Sequence, residues 1–110
     1  MGWKVEFYNI KVEDGIADWP LSLRIKFVKI IEIIKKIGPS ELGMPHIKPL
    51  KKGLWEIRIK GVEGIARAPF CMIKGKIIII LSEFIKKTEA MPLREMEIAI
   101  RRMKEVKNDE

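Results

Sequence analysis

Cations crowd the middle and second half of this chain: Lys48, Lys51, Lys52, Arg58, Lys60, Arg67, Lys86 and Lys87. An arginine offers two parallel donors that fit a phosphodiester, and it can stabilise the extra negative charge of a pentacovalent transition state. A lysine supplies such charge from a single point. A lysine surrounded by other cations also loses preference for its ammonium form, which suits it to accept a proton from a ribose 2′-hydroxyl. Glu56 is the alternative base, or else a partner for an arginine. Taken singly, each of these charges fits a solvated strand face. Their grouping is what points to phosphate, and Arg94 adds a further cation for a nucleic-acid backbone.

The whole-chain balance agrees. Lys and Arg number 22 against 15 Asp and Glu, a formal net charge of +7 in 110 residues. Such an excess suits a polyanion better than a neutral metabolite, with RNA the expected partner. Other chemistries are excluded residue by residue. Gly61-Val62-Glu63-Gly64 lacks the lysine and the following helix of a phosphate loop. His46 and the single Cys71 are too few for a zinc site, so no metal or other cofactor is expected. His46 lies in a proline-rich stretch and reads as a surface residue. One cysteine forms no intrachain disulfide, which points to a cytoplasmic protein. The longest apolar run, Ile77 to Leu81, is too short to cross a bilayer, and no membrane partner is expected.

The elements that must position these residues follow from local pattern. Trp3, Val5 and Phe7 alternate with Lys4, Glu6 and Tyr8, a half-buried strand. Glu13 to Pro20 has room for one or two helical turns, with Pro20 in the first turn of the next helix. From Leu21 to Ile37, Leu23, Phe27, Ile30, Ile31, Ile34 and Ile37 follow helical spacing, and Gly38-Pro39 ends the helix. The prolines and glycines of Pro39 to Gly53 predict an irregular surface loop. Leu54 to Lys60 alternates, with Trp55, Ile57 and Ile59 inward and Glu56, Arg58 and Lys60 toward water. Turns at Gly61–Gly64 and Lys74–Lys76 lead into Ile65–Ile73 and Ile77–Phe84, a meander of three antiparallel strands. Pro69 cannot donate to a central ladder, so it predicts an edge or a bulge. Pro92 opens a last helix with Leu93, Met96, Ile100 and Met103 as its apolar stripe. The expected architecture is α+β, one domain over residues 1–110 with 107–110 frayed.

Several motifs stand in order at compatible spacing: Leu54-Trp55-Glu56-Ile57-Arg58-Ile59-Lys60, then Gly64-Ile65-Ala66-Arg67, then Glu83-Phe84-Ile85-Lys86-Lys87-Thr88. Pro92 and the helix carrying Glu95, Ile98, Ala99 and Arg102 follow. Together with Trp19 and Lys48-Pro49-Leu50, this series resembles the phage-derived HigB-like branch of the RelE/ParE toxin superfamily. The resemblance implies a RelE-like fold and a toxin of a type II toxin–antitoxin pair. It implies ribosome-dependent cleavage of mRNA by 2′-hydroxyl attack without a metal, and neutralisation by a HigA-like helix-turn-helix antitoxin.

Position by position, the resemblance assigns Glu56, Arg58, Arg67, Lys86 and Lys87 to catalysis, with Arg67 on the scissile phosphate. Lys48, Lys51, Lys52, Lys60 and Arg94 are expected on the RNA. The chain departs from the family pattern at Ala66, where a tyrosine is common, at Ser82-Glu83, where His-Gly is common, and at Met91 in place of a capping threonine. A weakened or inactive relative that binds RNA or antitoxin without cutting is therefore the second reading. A DNA-binding module is the third, although no helix-turn-helix spacing supports it.

Overall fold

A computed structural model describes residues 2–88 and 90–109. Its elements run β1 (Lys4–Phe7), α1 (Ile10–Ala17), α2 (Leu21–Ile37), α3 (Pro39–Leu42), β2 (Ile47–Lys51), β3 (Leu54–Gly61), β4 (Gly64–Ile73), β5 (Ile77–Ile80), β6 (Phe84–Lys86) and α4 (Leu93–Asn108). The class is α+β: N-terminal strand and helices, a largely antiparallel sheet and a C-terminal helix, compatible with a RelE-like fold.

The long helix α2 has the bounds its spacing predicts, and Leu23, Phe27, Ile30, Ile31 and Ile34 are buried on one side. Gly38 stops it with φ 85°, its N–H donating to the Ile34 carbonyl at 2.8 Å. A side chain at Gly38 would collide with the Trp3 ring, which packs where a Cβ would stand. The Trp3 N–H donates to the Lys35 carbonyl at 2.8 Å, so the end of α2 is tied to the start of β1. Asn9 caps α1 by accepting from the Val12 N–H at 3.0 Å, which starts that helix before Glu13, where the sequence placed it. Pro20 stands just outside α2 as its N-cap rather than in its first turn.

The strand order is β1-β5-β4-β3-β2, with β6 also on β4. The expected meander is there, extended by β2 at one edge and by β1, parallel to β5, at the other. The strand expected over Ile77–Phe84 is broken. Phe70 pairs with Ile80 and Arg67 with Phe84, so Ala68 and Pro69 face the longer run Leu81-Ser82-Glu83. That extra residue is a bulge, the second of the two outcomes Pro69 predicts, and Pro69 itself is fully buried. Its carbonyl accepts from the Leu81 N–H at 2.8 Å. In an extended strand a residue's N and O point to the same side, so the donor Pro69 lacks falls opposite the break.

The two faces of the sheet have different cover. Trp55, Ile57, Ile59, Ala66, Ala68, Phe70, Ile78 and Ile80 pack with α1 and α2 in the main core. On the other face Leu54, Cys71, Ile79 and Leu81 meet Ala99, Met96, Ile100, Met103 and Val106 of α4. Burying aliphatic side chains on both faces stabilises each by roughly 1.5–3 kcal/mol.

Three sequence expectations change. Residues 39–53 are not an irregular loop: they form α3 and edge strand β2, where Pro49 is tolerated because β2 has a neighbour on one side only. Leu93 leaves the α4 stripe and is 75% exposed, while Ala99 and Val106 join it. The helix continues through Lys107 and Asn108 rather than fraying there; Glu110 lies outside the described residues.

Candidate functional site

Register builds the site. On the α4 face, beyond the reach of α4's apolar stripe, pairing lines up side chains in rows: Lys60, Ile65 and Lys86; then Arg58, Arg67 and Phe84; then Lys48, Glu56 and Pro69. Residues paired across neighbouring strands share a face, with Cβ atoms about 4.5–5.5 Å apart. Arg58 and Arg67 are therefore side by side, although distant in sequence, and Glu56 stands one row away.

The face is not the wet one the alternation suggests. Glu56 is 1% exposed, Arg58 9% and Arg67 0%. Burying a guanidinium is costly unless its donors are met. Arg67 donates from Nη1 to the Ala90 carbonyl at 2.7 Å and from Nη2 to the Thr88 carbonyl, and its guanidinium carbon lies 5.8 Å from the centre of the Phe84 ring. Its fork thus faces the chain segment after β6 rather than solvent, which corrects the expectation of an open phosphate holder.

Glu56 is only partly satisfied. Its Oε2 is 3.5 Å from Arg58 Nη1, longer than the roughly 2.7–2.9 Å of a charge-assisted hydrogen bond. Its Oε1 is buried with no hydrogen-bond partner among the described residues. Burial pushes the carboxyl above the usual carboxylate range, and the charges of Arg67, Arg58 and Lys48 draw it only part of the way back. A buried carboxyl of raised pKa beside guanidiniums is a candidate general base operating nearer neutrality.

The other predicted residues divide by position. Lys48 is half-buried beside Glu56, and Lys60 and Lys86 are exposed in the row beyond the arginines. Lys87 is exposed just past β6, and Arg94 is exposed in the first turn of α4. Lys51 and Lys52 stand apart. Their turn abuts Lys107 and Met103 of α4 through Gly53, and Lys51 pairs with Leu54, four residues and about 13 Å along β3 from Arg58. Tyr8 is also remote from the arginines; its hydroxyl donates to Glu105 at 2.6 Å, and Arg102 stacks on its ring at 4.7 Å. Among the described residues no group of three His, Cys, Asp or Glu side chains is placed to hold a metal. No helix there is long and apolar enough to cross a membrane.

Sequence reasoning missed the flank of this site. Lys26 and Lys29 on α2, with exposed His46, line a groove that reaches Arg58, Lys48 and Lys60. The signal was there in Lys26, Lys29, Ile30 and Ile33, a mixed stripe at helical spacing.

No curated protein matches the chain. A family model does, over residues 14–104, a span that holds α2, every strand from β2 to β6, the arginine rows and most of α4. The chain belongs to the phage-derived Gp49-like protein family (DUF891), a RelE-type, toxin-like family.

Proposed function

We propose that this chain is the toxin of a type II toxin–antitoxin pair, of the HigB-like branch, and that it cleaves mRNA in the ribosome. The observation that carries the reading is Glu56, a buried carboxyl with raised pKa in rows whose other charged groups are all cations. In the proposed step the Glu56 carboxylate, 1% exposed in the free chain, takes the proton of a ribose 2′-hydroxyl once the RNA has displaced the side chains that cover it. The 2′-oxygen bonds to the adjacent phosphorus, and the bond to the departing 5′-oxygen breaks. That oxygen takes a proton from solvent or from the Lys60 or Lys86 ammonium, leaving a cyclic phosphate and a 5′-hydroxyl. Arg58, Lys60 and Lys86 would stabilise the charge on phosphorus, and Lys48, Lys87 and Arg94 would track the RNA backbone. The step needs no metal. Arg67 would act from beneath, holding the Thr88 and Ala90 carbonyls and lowering the carboxyl's pKa from its buried limit.

The second reading, binding of RNA or antitoxin without cleavage, draws on two observations. Arg67's terminal nitrogens are engaged on carbonyls, and the only tyrosine lies against α4, so no phenol stacks on a base near the arginines.

Growth arrest and mapping of RNA ends in a ribosome-containing reaction test both. The wild type should arrest growth and leave new cyclic-phosphate ends, and Arg58→Ala, checked for fold by circular dichroism, should do neither. Bound RNA without new ends selects the second reading. Equal arrest by wild type and variant would refute the assignment of this face.

A further inference from the structure

A groove of about 670 Å³ lies between α2, the Leu42–His46 segment and the edge of β3. It exists because β2 stops pairing early: Ile47 pairs with Ile57, and the His46 carbonyl takes the last bond from the Arg58 N–H at 2.8 Å. Past that point the edge of β3 looks toward α2, and Lys26 Nζ reaches the Lys60 carbonyl at 3.0 Å. The floor is aliphatic, made by Ile30, Ile33, Leu42 and Ile59. The rim is cationic, made by Lys26, Lys29, Lys48 and Lys60, with Arg58 at the end shared with the candidate site. No Asp or Glu lines it. Ile33 and Met44 remain 39% and 67% exposed there.

We infer that this groove docks an acidic segment of a partner protein, with aliphatic side chains on the floor and carboxylates against the lysine rim. Charge complementarity selects the sign of the occupant. The floor selects its class: it is aliphatic and His46 is the single ring in the lining, too little to stack successive bases, whereas Ile and Leu side chains meet their like. Lys26, Lys29, Ile30 and Ile33 form one ridge of α2, the surface an amphipathic helix packs against. A carboxylate seated at the Arg58 end would occupy the position proposed for RNA phosphate, so docking and RNA binding would exclude each other there. The inference deepens the antitoxin part of the proposed function and rests on it only for the partner's biological role.

The test reads binding and not cleavage, so the two proposals fail separately. Short random peptides displayed on phage are panned against the full chain, and an enriched peptide is synthesised and mapped by amide chemical shifts. Enriched sequences should combine Asp or Glu with Leu or Ile at helical spacing, and shifts should cluster on residues 26–33, 42–46 and 58–60. The Lys26→Glu, Lys29→Glu double variant, on the helix exterior and folded by thermal melting, should bind about tenfold more weakly. Lys26→Gln with Lys29→Gln should fall between. Absence of enriched binders, enriched peptides without acids, or shifts elsewhere would overturn the inference. A single-stranded oligouridylate that shifts the groove more strongly than the peptide would assign it to RNA instead.

Discussion

Replacing Glu56 by glutamine keeps the shape of the side chain and removes its charge, which makes it a probe of both stability and activity. In the fold the Glu56 carboxyl sits above its ordinary pKa because burial outweighs the attraction of Arg67, Arg58 and Lys48. The native state therefore holds this proton more tightly than the unfolded chain does. Stability contributed by the group is fully present below the unfolded pKa and is lost as pH rises through the folded pKa. Each pH unit of displacement is worth about 1.36 kcal/mol once the carboxylate has formed, and 1 kcal/mol moves the melting temperature of a domain near this size by roughly 4–8 °C. Wild type and Glu56→Gln should melt together near pH 4, with the variant pulling ahead as pH rises to 8. A calorimetric or circular-dichroism series across that range reads the divergence. The same variant should lose RNA cleavage by roughly 10²–10⁴-fold if the carboxylate is the base, and the acid limb of the wild-type pH–rate profile should lie above the usual carboxylate range. A variant less stable than wild type at pH 8 would refute the burial argument. A stable variant with unchanged cleavage would remove Glu56 from the mechanism and leave it a structural group.

Three other outcomes are expected. Arg67→Met, which breaks the bonds to the Thr88 and Ala90 carbonyls, should lower stability by about 3 kcal/mol in urea denaturation, and a loss under about 1 kcal/mol would show those bonds to be dispensable. Trp19→Phe removes the indole N–H that donates to Glu83 at 2.6 Å and shrinks the ring that meets Phe27 edge-on at 5.5 Å, so it should cost about 2 kcal/mol by the same measurement. Lys60→Ala with Lys86→Ala should weaken RNA binding and reduce its salt dependence by about one unit of slope per lost phosphate contact, whereas Lys51→Ala with Lys52→Ala should change neither; equal effects of the two pairs would contradict the row geometry.

How far the sequence could be read depended on how local each feature is. Helix α2 was legible because its stripe and its glycine stop are contiguous, although Pro20 is its N-cap and Ile37, counted in the stripe, is 49% exposed. The alternation of Leu54 to Lys60 told which side chains share a face, and that held: Glu56, Arg58 and Lys60 do stand together. Whether that face is wet was not legible, because its cover comes from α4 and from the segment around Thr88 and Ala90, more than twenty residues away. Strand β2 was hidden by Pro49, which weighs against a central strand but not against an edge. Proximity along the chain also misled. Lys51 and Lys52 precede Glu56 closely, yet register leaves them at the Leu54 end of β3, away from the Lys60 row, while Lys86 joins that row, across Ile65 from Lys60, only through the pairing of β6 with β4.

The division of the sheet face suggests why a costly carboxyl is placed at Glu56. Leu54 and Cys71 belong to the row that α4 covers, and Arg58 and Arg67 to the row that it leaves. Glu56 and Pro69 are the row between. A carboxyl one row nearer α4 would meet aliphatic side chains and stay protonated; two rows further out, beside exposed Lys60 and Lys86, it would be solvated and ionise as an ordinary glutamate. At the boundary, burial and two guanidiniums act on it together, so its pKa is raised by the first and restrained by the second. Pro69 contributes by its bulge, which ends β5 and lets β6 restart with Phe84 beside Arg67, so the cation that restrains Glu56 is itself held in place. The stability lost to the ionised carboxyl and its fitness as a base then have one origin, the edge of α4's cover, and a variant that extends this cover toward Arg58 should enlarge the first and diminish the second.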